Sequence, residues 1–199
     1  MVKDQIEARG VRDEKILDAM RKVPRHLFIP WNMRAYAYHD EPLPIGEGQT
    51  ISQPYIVAYM SEVLRLKGNE RILEVGTGSG YQAAVLAEIA KEVFTIEIVK
   101  SLSLKAKKVL DKLGYKNIYF KIGDGTLGWE EHASYDAIIV TAAPAKVPQA
   151  LREQLRISGR MIIPVGSTFQ ELVLVTRGKK KFKEKKLLPV RFVPLISTH

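Results

Sequence analysis

The sequence predicts an α/β fold: a Rossmann-like, doubly wound, mostly parallel sheet with an antiparallel edge at its C-terminal end. Three observations carry this prediction. The stretch 71–81, RILEVGTGSGY, passes from an apolar strand-like run into three glycines and then into helical spacing. Strand-like runs at 92–98, 117–122 and 135–140 alternate with helix-like ones, the pattern of βαβ units. Near the end, strand-like runs at 159–165, 171–176 and 181–196 follow one another across short turns. Parallel neighbours need a crossover of about a dozen residues, so these three are expected to be antiparallel.

Taken in order, Asp13 is placed to cap a helix reaching Lys22, with Ile16, Leu17 and Met20 on one face, and Pro24 ends it. Residues 23–30, bracketed by prolines, read as an irregular apolar arm, with a short helix around 32–38. Residues 39–54 form a polar loop rich in glycine and proline, and its sixteen residues are long enough to suggest function. The apolar set Ile56, Tyr59, Met60, Val63 and Leu64 marks a helix over 55–66. Such a helix is roughly 18 Å long at ~1.5 Å per residue, and a short break returns the chain into a strand of similar length. Helix and strand are therefore expected to lie antiparallel, with residues 49–52 above the glycine turn. A helix over 81–91 joins the first two strands, and one over 100–113, closed by Gly114, leads to the third. The third strand ends in Gly123-Asp124-Gly125 and the fourth in Thr141-Ala-Ala-Pro144, after which Pro148 opens a short helix to about Leu155.

With 199 residues, 46% of them hydrophobic, one domain is expected. It divides into N-terminal helices with the long loop at 1–54, a core at 55–155 and C-terminal strands at 156–199. The absence of cysteine excludes disulfides and thiol chemistry and, with no cleavable apolar leader, predicts a cytoplasmic protein. No run reaches membrane-spanning length, so no membrane association is expected. His26, His39, His132 and His199 are scattered without ligand spacing, and no metal is predicted. The net charge of +9 suits a polyanionic partner, but much of it lies in clusters at 105–112 and 179–186 that read as solvated faces.

The glycine turn carries the chemistry. Glycine tolerates positive φ and admits a ligand close to the backbone, and the helix that follows points free N–H groups and a positive dipole end at it. A strand-end acid, Glu97, falls twenty-one positions after Gly76, close to the ~20 at which ribose hydroxyls are bound. Ligands in such sheets gather outside the carboxyl ends of the strands, so Gly76, Glu97, Asp124 and Thr141 are expected to converge. NAD, ATP and S-adenosylmethionine all suit a parallel sheet. The phosphate-loop signature is missing, which argues against ATP. Glycines spaced G-x-G-x-G behind Glu74, with acids after strands two and three, fit a nucleoside bearing an amino-acid tail: the turn for the tail, Glu97 for the ribose, Asp124 for the adenine amine. Methyl transfer is the favoured reading.

Six blocks then resemble, in order, those of the protein-L-isoaspartate (D-aspartate) O-methyltransferase family: GQTISQP at 48–54, LEVGTGSGY at 73–81, GDG at 123–125, DAIIVTAAP at 136–144, GRMIIPVG at 159–166 and RFVPLIS at 191–197. LEVGTGSG marks methyltransferases that use S-adenosylmethionine in general, whereas GQTISQP and RFVPL are particular to this family. The resemblance implies S-adenosylmethionine as cofactor and isoaspartyl-containing proteins and peptides as partners; a monomer is expected, though nothing in the sequence sets the oligomeric state. The family methylates the misplaced α-carboxylate, and the ester collapses to a succinimide that can reopen as aspartate; the side-chain carboxylate of D-aspartate is a second acceptor. Carried over by position, Ser52 is the active-site serine, and Gln49, Thr50, Ile51 and Ser52 flank the cofactor. Glu74, Gly76, Thr77, Gly78, Gly80 and Thr141 surround it, Glu97 takes the ribose, Asp124 and Gly125 the adenine, and Gln170 is a looser match to a cofactor contact. Leu43, Pro44 and Val193, with Ser52, fall where the family grips its substrate. Val57, where some relatives carry a polar residue, is left outside the predicted site.

The implied reaction needs no strong base, because a carboxylate with pKa ~4 is already ionised at neutral pH. Alignment of the reacting atoms is what remains to be supplied, and it can contribute roughly 7–11 kcal/mol. Ser52 then orients the acceptor by hydrogen bonding; its alternative role is to cap the helix that begins near Tyr55. The slot after strand four offers little to an amine, unlike the proline-rich motif of many amino-group methyltransferases. The rival reading is an RNA or small-molecule methyltransferase, motivated by the basic hairpin at 179–186, yet Phe182 is the only aromatic residue interleaved there. Nucleic acid is therefore not an expected partner. A nucleotide-binding module without catalysis and a nicotinamide dehydrogenase rank lower.

Overall fold

The computed structural model describes residues 1–198, so His199 lies outside the described residues. Helix α1 (Glu14–Lys22) begins where Asp13 accepts the Lys15 amide, as its capping position predicts. The arm after it is a short 3₁₀ turn, Arg25–Phe28, followed by a second over Trp31–Tyr36. The long loop is not wholly irregular. It contains a small hairpin, β1 (Leu43–Gly46) with β2 (Gln49–Ile51), paired Leu43 to Ile51 and Pro44 to Thr50. Gly46 and Gly48, both at positive φ, make that turn possible.

Helix α2 (Pro54–Val63) leads to β3 (Arg71–Val75), and α3 (Tyr81–Ala87) to β4 (Glu92–Glu97). Both helices stop earlier than their apolar periodicity suggests. Arg65 turns the chain at φ 52, and the Lys91 and Glu92 amides are taken by the Glu70 carbonyl, which starts the next strand. Helix α4 (Lys100–Lys112), β5 (Ile118–Ile122), β6 (Tyr135–Val140) and α5 (Gln149–Gln154) follow. The last three strands are β7 (Leu155–Val165), β8 (Gln170–Arg177) and β9 (Phe182–Val190).

The main sheet runs β5-β4-β3-β6-β7-β8-β9. It is parallel from β5 to β7, and β7, β8 and β9 are mutually antiparallel, as short connections require. Alternate residues of β3 face opposite layers. Ile72 packs with α1 to α4, while Leu73 and Val75 pack with Phe94, Tyr135 and Leu151 of α5. The last strand is shorter than 181–196. Pro189 and Pro194 lack N–H donors, and after Val190 the chain leaves the sheet to bridge Ala143, whose amide donates to Val193 O at 2.8 Å. That departure brings the C-terminal stretch over the carboxyl ends of the strands.

Candidate active site

The turn after β3 is held by its neighbour. The Gly76 and Thr77 amides both donate to the Ile96 carbonyl at the end of β4, and Thr141 Oγ1 donates to Gly76 O at 2.7 Å. Gly76 has φ +96, and a Cβ there would stand 2.4 Å from Thr141 Oγ1. Gly125 is equally constrained, since a Cβ would meet Val75 at 2.4 Å. Bare backbone is thus what leaves room at this end of the sheet. Glu97 closes the ring: its Oε2 accepts the Gly78 amide at 2.8 Å and its Oε1 the Val99 amide at 2.9 Å.

These groups line a cleft of about 760 Å³, counting its open mouth. Gly76, Thr77, Gly78, Glu97, Gly125 and Thr141 line it together with residues 49–52. A second groove of about 1190 Å³ opens beside it, walled by the Leu188–Val193 backbone stretch on one side and by Tyr55 and Arg9 on the other. The two spaces share Thr50, Ser52, Thr141 and Val193. Among the described residues the Ser52 hydroxyl has no hydrogen-bond partner, so it is free to serve a ligand at that junction.

Several predicted site residues stand elsewhere. Asp124 does not line the cleft; one oxygen accepts from Thr126 and the other from Ser197 and Thr198. Burial alone would raise its pKa, but these donors hold the carboxyl well below the usual range. Gln170 also lies away from the cleft, its side chain accepting the Phe192 amide at 2.6 Å and donating to the Phe192 carbonyl at 3.1 Å. It shapes the wall at Val193 indirectly. Gly80 meets Ala106 and Leu110 of α4, where its missing side chain permits close helix packing rather than ligand approach. Leu43 is buried and Pro44 exposed in the β1–β2 hairpin, outside both spaces.

Glu74 is fully buried beneath the turn. It accepts Thr95 Oγ1 at 2.5 Å through one oxygen, and the other has no partner. Burial pushes its pKa up to about 8, against the lowering effect of the Thr95 bond and with a further push from Glu97. Capping of α2 by Ser52 is not what the structure contains. Gln53 is the capping position and offers no side-chain bond, while Asp40 Oδ1 accepts the Tyr55 amide at 3.0 Å. The oxygen that does this sits fifteen residues away, where no local pattern points to it.

Other cleft residues had no role in the sequence reading. Tyr81 and Gln82 open α3 directly behind the glycine turn, so their adjacency was the signal. Val57 lines the cleft as well. Pro194, Leu195 and Ile196 arrive because the chain leaves the sheet after β9, which the prolines at 189 and 194 could have announced. Among the described residues no group of three potential metal ligands occurs, and no helix is long and apolar enough to cross a membrane.

A glycine cradle beside a strand-end acid fits a nucleoside with an amino-acid tail, and a doubly wound sheet with the antiparallel β7–β9 edge puts the chain in the class of S-adenosylmethionine-dependent methyltransferases. The family model for protein-L-isoaspartate(D-aspartate) O-methyltransferase matches residues 1–199. The chain is 55% identical over 197 residues to protein-L-isoaspartate O-methyltransferase 1 of Syntrophobacter fumaroxidans, covering 98% of this chain and 92% of that one. It is 56% identical over 191 residues to the protein-L-isoaspartate O-methyltransferase of Dictyoglomus turgidum, covering 96% and 87%. A Plasmodium falciparum structure described as a protein-L-isoaspartate O-methyltransferase, solved with S-adenosyl-L-homocysteine, superposes with a TM-score of 0.85 at 26% identity, covering 99% and 97%. The chain belongs to the protein-L-isoaspartate(D-aspartate) O-methyltransferase family.

Proposed function

We propose that this chain methylates the free α-carboxylate of L-isoaspartyl residues in damaged proteins and peptides, with S-adenosylmethionine as donor, and so initiates their repair. The observation that carries the reading is the junction of two spaces at Thr50, Ser52, Thr141 and Val193, one suited to a donor and the other open enough for a peptide. When bound, S-adenosylmethionine supplies the methyl group that the substrate carboxylate accepts. Residues 76–78 and Glu97 would hold it, together with Gly125 and the lid at 49–52.

The protein's remaining task is alignment. A carboxylate at pH 7 needs no proton removed, so no general base is required between the two spaces. The unpartnered Ser52 hydroxyl donates to one oxygen of the acceptor and fixes which lone pair faces the donor. Backbone groups along 188–193 offer an extended peptide its hydrogen bonds, since among the described residues β9 is the last strand of the sheet. The lid excludes water from the opposed charges, which strengthens their interaction.

Incubation with methyl-labelled donor and peptide pairs differing only in aspartyl linkage tests the proposal. Base-labile label on the isoaspartyl member alone is the expected result, and a D-aspartyl peptide in the same series reports the second acceptor. Label on RNA with steep salt dependence, and none on the peptides, would replace this reading with the nucleic-acid one.

A further inference from the structure

Arg25 is fully buried, yet it is joined to two backbone carbonyls rather than to a carboxylate. Its Nε donates to Ala37 O at 2.7 Å and one terminal nitrogen donates to Ser52 O at 2.7 Å. The other terminal nitrogen, Nη1, is buried without a partner. The guanidinium carbon lies 4.8 Å from the centre of the Tyr81 ring, and Tyr81 is itself a wall of the donor cleft. Burial lowers the pKa of Arg25 to about 10, which leaves it cationic at neutral pH.

A buried cation with an unmet donor is costly. An apolar side chain of similar length would fill the same space more cheaply, so what arginine adds is its rigid fork. One prong holds the arm through Ala37 and the other holds the lid at the residue whose hydroxyl faces the junction. Asp40 secures the next residues through Gln53 and the Tyr55 amide, which fixes the chain after Ser52 but not Ser52 itself. We propose that Arg25 is a positioning residue for methyl transfer: by gripping the Ser52 carbonyl from beneath, it sets the direction of the Ser52 hydroxyl across the boundary between donor cleft and peptide groove. The inference rests on the function proposed above.

The test uses the intact chain with Arg25→Met, which removes the fork, and Arg25→Lys, which keeps a cation with a single point of attachment. For Arg25→Met, kcat on an isoaspartyl peptide should fall by roughly tenfold or more, because misplacement by about 1 Å can cost ~10²-fold. Cofactor affinity by calorimetry should fall far less than kcat, since Arg25 reaches the cleft only through the Tyr81 ring and the Ser52 carbonyl. Arg25→Lys should recover part of the loss, and in both variants amide exchange should quicken over residues 49–53 while β3 is unchanged. An unaltered kcat, or kcat and cofactor affinity falling together, would overturn the proposal. Failure of both variants to fold would also overturn it, in favour of a role in stability alone. If the wild-type chain methylates no isoaspartyl peptide but lid exchange still quickens in Arg25→Lys, the grip stands and the substrate reading falls.

Discussion

The Glu97 carboxylate accepts the Gly78 amide at 2.8 Å, so the acid that ends β4 also braces the glycine turn that ends β3. One side chain thereby shapes the cradle and presents a charge to it. Its other oxygen holds the Val99 amide at the entry to α4.

Glu97→Ala should therefore weaken cofactor binding through two losses, the acceptor for the ribose and the brace on Gly78. Hydrogen bonds to charged groups contribute about 1.5–3 kcal/mol each, so the dissociation constant should rise roughly tenfold or more. Calorimetric titration with S-adenosyl-L-homocysteine measures this, and an unchanged constant would remove Glu97 from the site.

Ser52→Ala should separate chemistry from both binding and stability. Initial rates on an isoaspartyl peptide should drop by about ten- to a hundredfold, for loss of a bond worth ~1.5–3 kcal/mol to an ionised acceptor. Because Asp40 supports the start of α2, the urea midpoint should barely move. Asp40→Ala, by contrast, should lower stability by about 1 kcal/mol, as loss of a helix cap does. A Ser52→Ala chain as destabilised as Asp40→Ala would make the serine structural.

Gly76→Ala forces an L residue to φ +96 and sets a methyl group 2.4 Å from Thr141 Oγ1. The backbone strain alone is of order 1–3 kcal/mol, and the clash distorts the floor of the cleft. Stability and cofactor affinity should both fall. Adding Thr141→Ala removes the clash but not the strain, so only partial recovery is expected; full recovery in denaturant and binding measurements would mean that backbone conformation is not the constraint.

Glu74 makes stability depend on pH in a definite sense. Its pKa is about 8 in the folded chain, against ~4.3 when unfolded. Between those values the folded state holds a proton that the unfolded state has released. Stability contributed by this group is thus full below about pH 4.3 and is lost progressively as pH rises towards 8. Glu74→Gln retains an acceptor for Thr95 and has no charge to bury, so its melting temperature should decline less than that of the wild type between about pH 5 and 8. Parallel profiles would show that Glu74 is ionised throughout.

Much of the glycine turn and its strand-end acid was legible from local order. The run from Arg71 to Tyr81 encodes strand, turn and helix by composition, and the distance from Gly76 to Glu97 is set by one helix and one strand. The partners of Asp124 and Gln170 were not legible, because a residue's place after a strand does not say which way its side chain is spent: the first is bound to Thr126, Ser197 and Thr198, the second to Phe192. The 181–196 strand was drawn too long because its alternation continues past the point where proline ends the ladder.

The sequence by itself determined the alternation of strands and helices, the antiparallel edge and the chemistry of the glycine turn, because hydrophobic period, connection length and glycine content act between near neighbours in the chain. Only the tertiary structure decided that Arg25 meets Ser52 across twenty-seven positions, that Asp40 rather than Ser52 supports α2, and that Val193 and Thr141 share a wall between two spaces. Those pairings come from how arm, lid and C-terminal stretch pack against one another, and packing follows from shape and burial over the whole chain rather than from spacing within any segment of it.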